Sequence, residues 1–139
     1  MNRSLLIVED DPDQLETLVH WFRRAGYDVT GVDHPSKALE AAGLWQFHVA
    51  LLDASLPDMD GLVLMQRLNL LQYGLQVIIL SGHDNLEPRA KADGAFACLA
   101  KPCRMALLRA TVEDALERAA DESTPMKQLV GTELLTVTT

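Results

Sequence analysis

The chain predicts a doubly wound α/β fold, a parallel sheet of five strands with helices packed on both faces. Apolar runs such as Leu5-Leu6-Ile7-Val8, Val49-Ala50-Leu51-Leu52 and Val77-Ile78-Ile79-Leu80 have strand length and no alternation, the pattern of strands buried on both faces. Segments of helical period separate them, each long enough for a crossover between parallel strands. Short right-handed crossovers favour the order 2-1-3-4-5, which makes the first and third strands neighbours.

The elements follow in turn. After the first strand, Asp11 is placed to cap a helix that opens on Pro12 and carries Gln14 at its third position, with Leu15, Leu18, Val19 and Phe22 on the inward face. Gly26 closes it. A second strand is expected over 27–32, a second helix over 35–42 and the central third strand over 47–53. Asp60 caps a third helix that turns Leu64, Leu68 and Leu71 inward, and the fourth strand spans 76–81. The fourth helix fits between Asn85 and Asp93 with Pro88 in its first turn, and Gly94 stands where a left-handed C-terminal cap belongs. A fifth strand over 95–100 and a last helix with Leu108, Val112, Ala115 and Ala119 on one face complete the set. The domain is expected over 3–120. Residues 121–139 read as a linker, Asp121-Glu122-Ser123-Thr124-Pro125, followed by a strand-like Leu134-Leu135-Thr136-Val137-Thr138 that is either a tail or the start of a truncated output domain.

Composition narrows the function. In 139 residues with 48% hydrophobic and 23% charged content there is room for one soluble domain. Twenty acidic against 12 basic residues give a net charge of −8, which repels nucleic-acid phosphate and anionic membrane and argues against direct DNA binding by this segment. Cys98 and Cys103 match neither a zinc spacing nor a disulfide framework and read as reduced thiols. No apolar run approaches the length of a membrane span or a signal peptide, so a cytoplasmic protein is expected.

Chemistry concentrates at the strand tips. The first strand runs into Glu9-Asp10-Asp11, the third ends at Asp53, the fourth at Ser81 and the fifth at Lys101-Pro102. In an open parallel sheet the ligand site lies beyond these carboxyl ends. Glu9, Asp10 and Asp53 converge there, and three carboxylates so close require a cation to remain ionised. An all-oxygen set with few protein donors favours Mg²⁺, which keeps several waters and leaves a position for a phosphoryl oxygen. A nucleophilic carboxylate, a hydroxyl and a fixed ammonium around such an ion are the parts phosphoryl transfer needs.

With these residues in place the chain resembles the response regulator receiver domain of two-component signalling over about residues 3 to 120. The resemblance is carried by Leu6-Ile7-Val8-Glu9-Asp10-Asp11, by Asp53 with the loop Leu56-Pro57-Asp58-Met59-Asp60-Gly61, and by Ser81-Gly82, Gly94-Ala95 and Lys101-Pro102. It implies a flavodoxin-like, three-layer fold and Asp53 as acceptor of a phosphoryl group from a sensor histidine kinase or phosphotransfer protein. It further implies that Asp10 and Asp53 bind Mg²⁺ through carboxylates, Ser55 through its backbone carbonyl and Glu9 mainly through water. Lys101 would pair with the phosphoryl oxygens, its bond to Pro102 would be cis, and Ser81 would move toward the phosphoryl group. Such a domain signals rather than turning over an external substrate, switching an output surface of helix four, strand five and helix five that could also form a homodimer.

The sequence departs from that family at Cys98, where a Tyr or Phe is usual, and at Cys103, where Phe is common. Phe96, two residues upstream of Cys98, is expected on the same strand face, where it could fill the space, although a plain packing role is the favoured reading. Ser55 and His83 flank the pocket and are expected to tune phosphate lability. A haloacid-dehalogenase-type phosphatase would carry Asp-x-Asp on its first strand, and a flavodoxin-like phosphate binder would need a Ser/Thr/Gly loop where Glu9-Asp10-Asp11 stands. The remaining alternative is a receiver-like interaction module that works without phosphorylation, suggested by Cys98 and opposed by the intact Asp10, Asp53, Ser81 and Lys101.

Overall fold

A computed structural model describes residues 3–82 and 86–138, with side chains described as far as Asp121. The chain runs β1 (Ser4–Val8), α1 (Pro12–Arg24), β2 (Asp28–Val32), α2 (Pro35–Leu44), β3 (Val49–Asp53), β4 (Ser55–Leu56), β5 (Met59–Asp60), α3 (Gly61–Leu71), β6 (Gln76–Ser81), α4 (Leu86–Ala92), β7 (Ala97–Ala100) and α5 (Met105–Thr138). The main sheet is parallel with the order β2-β1-β3-β6-β7, so the five long strands stand in the expected 2-1-3-4-5 arrangement.

Strand periodicity divides the core in two. Leu6, Val8, Ala50, Leu52, Val77 and Ile79 face α2, α3 and α4, whereas Leu5, Ile7, Val49, Leu51, Ile78 and Leu80 face α1 and α5. Both layers are buried and apolar, which is why the strands show no polar alternation.

The expected caps are present. Asp11 accepts from the backbone N–H groups of Asp13 and Gln14, and Asp60 from that of Leu62. Gly26 (φ 97°) and Gly94 (φ 108°) hold the left-handed positions that close α1 and α4.

Three strands begin later than their apolar runs. The N–H of Tyr27 bonds the Phe22 carbonyl, that of Phe47 the Gln72 side chain and that of Ala95 the Ala90 carbonyl, so these amides are satisfied outside the ladders. Helix α2 in turn runs on to Leu44. The β4–β5 ribbon has no counterpart in the sequence reading. It is closed by Pro57 and Asp58, the latter at φ 67°, a two-residue turn whose second position usually takes Gly or Asn.

The helical backbone of α5 continues to Thr138, through the stretch read as a linker and a strand-like segment. Helix-favouring Ala, Glu, Met, Lys, Gln and Leu residues flank Pro125 on both sides. No described helix is long and apolar enough to cross a membrane.

Candidate functional site

Parallel register aligns the strand tips. Val8 stands opposite Leu52, Asp53 opposite Leu80 and Ser81 opposite Ala100, so Glu9, Asp53, Ser81 and Lys101 emerge at one end of the sheet. Backbone bonds lock the ends together: Glu9 N–H to the Val32 carbonyl, Ala54 N–H to that of Leu80, and Lys101 N–H to that of Ser81. The Lys101-Pro102 peptide is cis.

The Lys101 ammonium lies 2.9 Å from Glu9 Oε1 and 3.2 Å from Asp53 Oδ2. It also donates to Gln14 Oε1 at 3.4 Å. The N–H of Ser55 donates to Asp53 Oδ1 at 3.1 Å, which fixes the second carboxylate oxygen. Glu9 is 3% exposed and the Asp53 side chain 11%, while Asp10 is exposed at the rim. One carboxylate oxygen from each of Glu9, Asp10 and Asp53 falls within 4.8 Å of the others. Three hard anionic donors at that spacing, two of them withdrawn from water, suit Mg²⁺. Ser81 is buried at the same end, and Asp11 is occupied in capping α1. His83 lies outside the described residues.

Burial pushes the Glu9 carboxyl above its usual range; the Lys101 ammonium and the Asp11 N–H oppose this, and the Asp53 charge adds to it. For Lys101, burial pulls downward but is outweighed by its bond to Glu9 and the field of Asp53, so the amine is held above its ordinary value and stays cationic. A buried excess of negative charge, partly met by one lysine, is a place where a further cation is stabilised.

Two participants were not legible as such. Gly61 packs against the acceptor strand so closely that a Cβ there would sit 2.5 Å from the Asp53 carbonyl oxygen and 2.9 Å from Ala54 Cα. In the sequence it ends the loop quoted with Asp53 and follows the cap Asp60, but nothing there reports this contact. Gln14 is the other: the capping pattern assigned it to the Asp11 N–H, but Glu9 Oε2 accepts that proton at 3.2 Å, and the Gln14 amide turns to Lys101.

One expectation is corrected. Cys98 packs against the core layer of α2–α4, whereas Phe96 packs in the opposite layer with Arg118 over its ring at 5.7 Å. Phe96 and Ala97 both pack in that layer, so the two-residue alternation is broken between them and the ring lies across the sheet from Cys98. Both cysteines are free thiols whose pKa burial raises.

Beside Lys101 a groove of about 520 Å³ opens between α1 and α5, bordered by Thr17, Leu18, Pro102, Cys103, Met105 and Leu108.

Comparison with known proteins gives concordant matches. The family model described as response regulator receiver domain matches residues 5–113. The transcriptional activator protein PfeR of Pseudomonas aeruginosa is 38% identical over 133 residues, covering 94% of this chain and 43% of that regulator, so the chain spans less than half its length. Among solved structures, a CheY-like response regulator receiver domain protein from Methanospirillum hungatei superposes with a TM-score of 0.81 at 26% identity, covering 88% of this chain and 99% of the other. A response regulator protein from Burkholderia pseudomallei, with a phosphorylated aspartic acid, calcium ion and citrate, gives 0.75 at 28% identity, covering 89% of this chain and 75% of the other.

Proposed function

Because the chain belongs to the response regulator receiver domain family, we propose that it accepts a phosphoryl group on Asp53 from a sensor histidine kinase or phosphotransfer protein. The observation that carries this reading is the meeting of three carboxylates within 4.8 Å of one another with an ammonium 3.2 Å from Asp53. Asp53 supplies the attacking carboxylate oxygen. Ser55 N–H holds the other oxygen, so one of the pair is presented and one restrained. Lys101, kept protonated by Glu9 and Asp53, offers N–H donors to the phosphoryl oxygens as their charge turns toward the sheet. Ser81, buried at the adjacent tip, is the hydroxyl that engages the transferred group. Carboxylates of Asp10 and Asp53, the Ser55 carbonyl and, through water, Glu9 would hold Mg²⁺. When bound, that ion neutralises charge on the donor phosphate.

The groove between α1 and α5 borders Lys101 and leaves the ammonium accessible from that side. Residues 3–120 form the receiver and 121–139 lead toward an output region. The relatives are transcriptional regulators, so the output proposed is control of transcription in the cytoplasm, with dimerisation through α4, β7 and α5. Intact-mass measurement of chain incubated with acetyl phosphate and Mg²⁺ tests the assignment. One base-labile phosphoryl adduct is expected, absent in Asp53→Asn; an adduct that persists in that variant refutes the site.

A further inference from the structure

We propose that Gln14 is a positioning residue for Lys101, holding the ammonium in place from outside the acidic cluster. The inference deepens the receiver reading and rests on it for its kinetic consequence. A lysine ammonium has three N–H donors. Three acceptors meet it here: Glu9 Oε1 at 2.9 Å, Asp53 Oδ2 at 3.2 Å and Gln14 Oε1 at 3.4 Å. Gln14 is itself oriented, because its Nε2 donates to Asp11 Oδ2 at 3.2 Å while Asp11 Oδ1 caps the helix. The cap of α1 is thereby joined to the lysine through one amide.

Chemistry explains why an amide suits this position. Once Asp53 carries a phosphoryl group, the acceptor Asp53 Oδ2 changes and the ammonium must turn toward new oxygens. Glu9 and Gln14 are then the two contacts that persist. A neutral carbonyl restrains the amine without adding a third carboxylate to compete with the phosphoryl group. Orientation also depends on Glu9 taking the Asp11 N–H, since an amide engaged in the reciprocal capping pattern would point away from Lys101.

The test uses Gln14→Met, similar in length but without acceptor or donor, and Asp11→Ser, which keeps a capping oxygen but loses the one that holds Gln14. With acetyl phosphate, both should lower the limiting rate of Asp53 phosphorylation, Gln14→Met by about two- to fivefold, as expected for losing one long hydrogen bond to a charged group at an exposed site. Mg²⁺ affinity and melting temperature should stay near those of the native chain. In ¹⁵N spectra, the Lys101 ammonium protons should exchange with water faster in Gln14→Met. Unchanged rate and unchanged proton exchange in that variant overturn the inference. If the native chain takes no phosphoryl group, the receiver reading fails instead, and ammonium exchange alone decides whether Gln14 holds Lys101.

Discussion

Replacing Gly61 by alanine joins stability and chemistry in one perturbation. The added Cβ would lie 2.5 Å from the Asp53 carbonyl oxygen, 2.9 Å from Ala54 Cα and 3.2 Å from the Asp53 carbonyl carbon. Carbon–oxygen contacts are comfortable at about 3.3–3.6 Å, so α3 and the end of β3 must separate by nearly 1 Å. These are backbone atoms, and no side-chain rotation relieves them. Overpacking of this kind costs about 1–3 kcal/mol, a fall of about 3–12 °C in melting temperature for a domain of this size. The displaced atoms belong to Asp53 itself, so its carboxylate should also move relative to Lys101, now 3.2 Å away. Phosphorylation by acetyl phosphate should therefore slow by more than the folded fraction explains. Gly43 supplies the control, since a Cβ there meets nothing within 4 Å and the residue lies in α2. Gly43→Ala should leave the rate unchanged and stabilise by about 0.4–1 kcal/mol. Circular-dichroism melts and single-turnover phosphorylation read both. A Gly61→Ala chain that melts and reacts like the native one would refute the claim that α3 buttresses the acceptor strand.

Asp10→Ala should weaken Mg²⁺ binding by more than about tenfold in a fluorescence or calorimetric titration, as loss of a ligand does, whereas Asp11→Ala should mainly cost about 0.5–2 kcal/mol of stability through the cap; equal losses of affinity would show the acids misassigned. The Tyr27 hydroxyl is pushed up to about 12 by burial and by its bond to the Glu113 carboxylate. The unfolded chain loses that proton near pH 10 and the folded chain retains it, so stability falls as pH rises from about 10 to 12. Tyr27→Phe should flatten that slope in urea melts recorded across the window, and an unchanged slope would exclude Tyr27 as its source. Beryllofluoride should alter hydrogen exchange in α4 and β7 weakly in the native chain and more strongly in Cys98→Tyr, because the small thiol changes little buried area between two states. A full native response that tyrosine leaves unaltered would show that the aromatic side chain is dispensable here.

The fold class and the strand tips were open to reading because both are local. A strand buried on two faces must be continuously apolar, and the residue ending it stands at the same place in the chain as in space. Parallel order then brought Glu9, Asp53, Ser81 and Lys101 to one end of the sheet with no further information. Other features arose from meetings of segments far apart in the chain. Gln72 is 2% exposed, accepts the Phe47 N–H and donates to the Ala42 and Trp45 carbonyls, tying the end of α3 to the loop between α2 and β3. In sequence it is an ordinary polar residue at a helix end. The closeness of Gly61 to Asp53 and the turn of Gln14 toward Lys101 are likewise set by how α3 and α1 dock on the sheet. Cys98 and Phe96 fell on opposite layers because the alternation breaks between Phe96 and Ala97, although the Phe96 N–H still bonds the Val77 carbonyl. Period and composition report whether a residue is buried; which groups it meets depends on register and helix docking, and those are settled by packing of the whole domain.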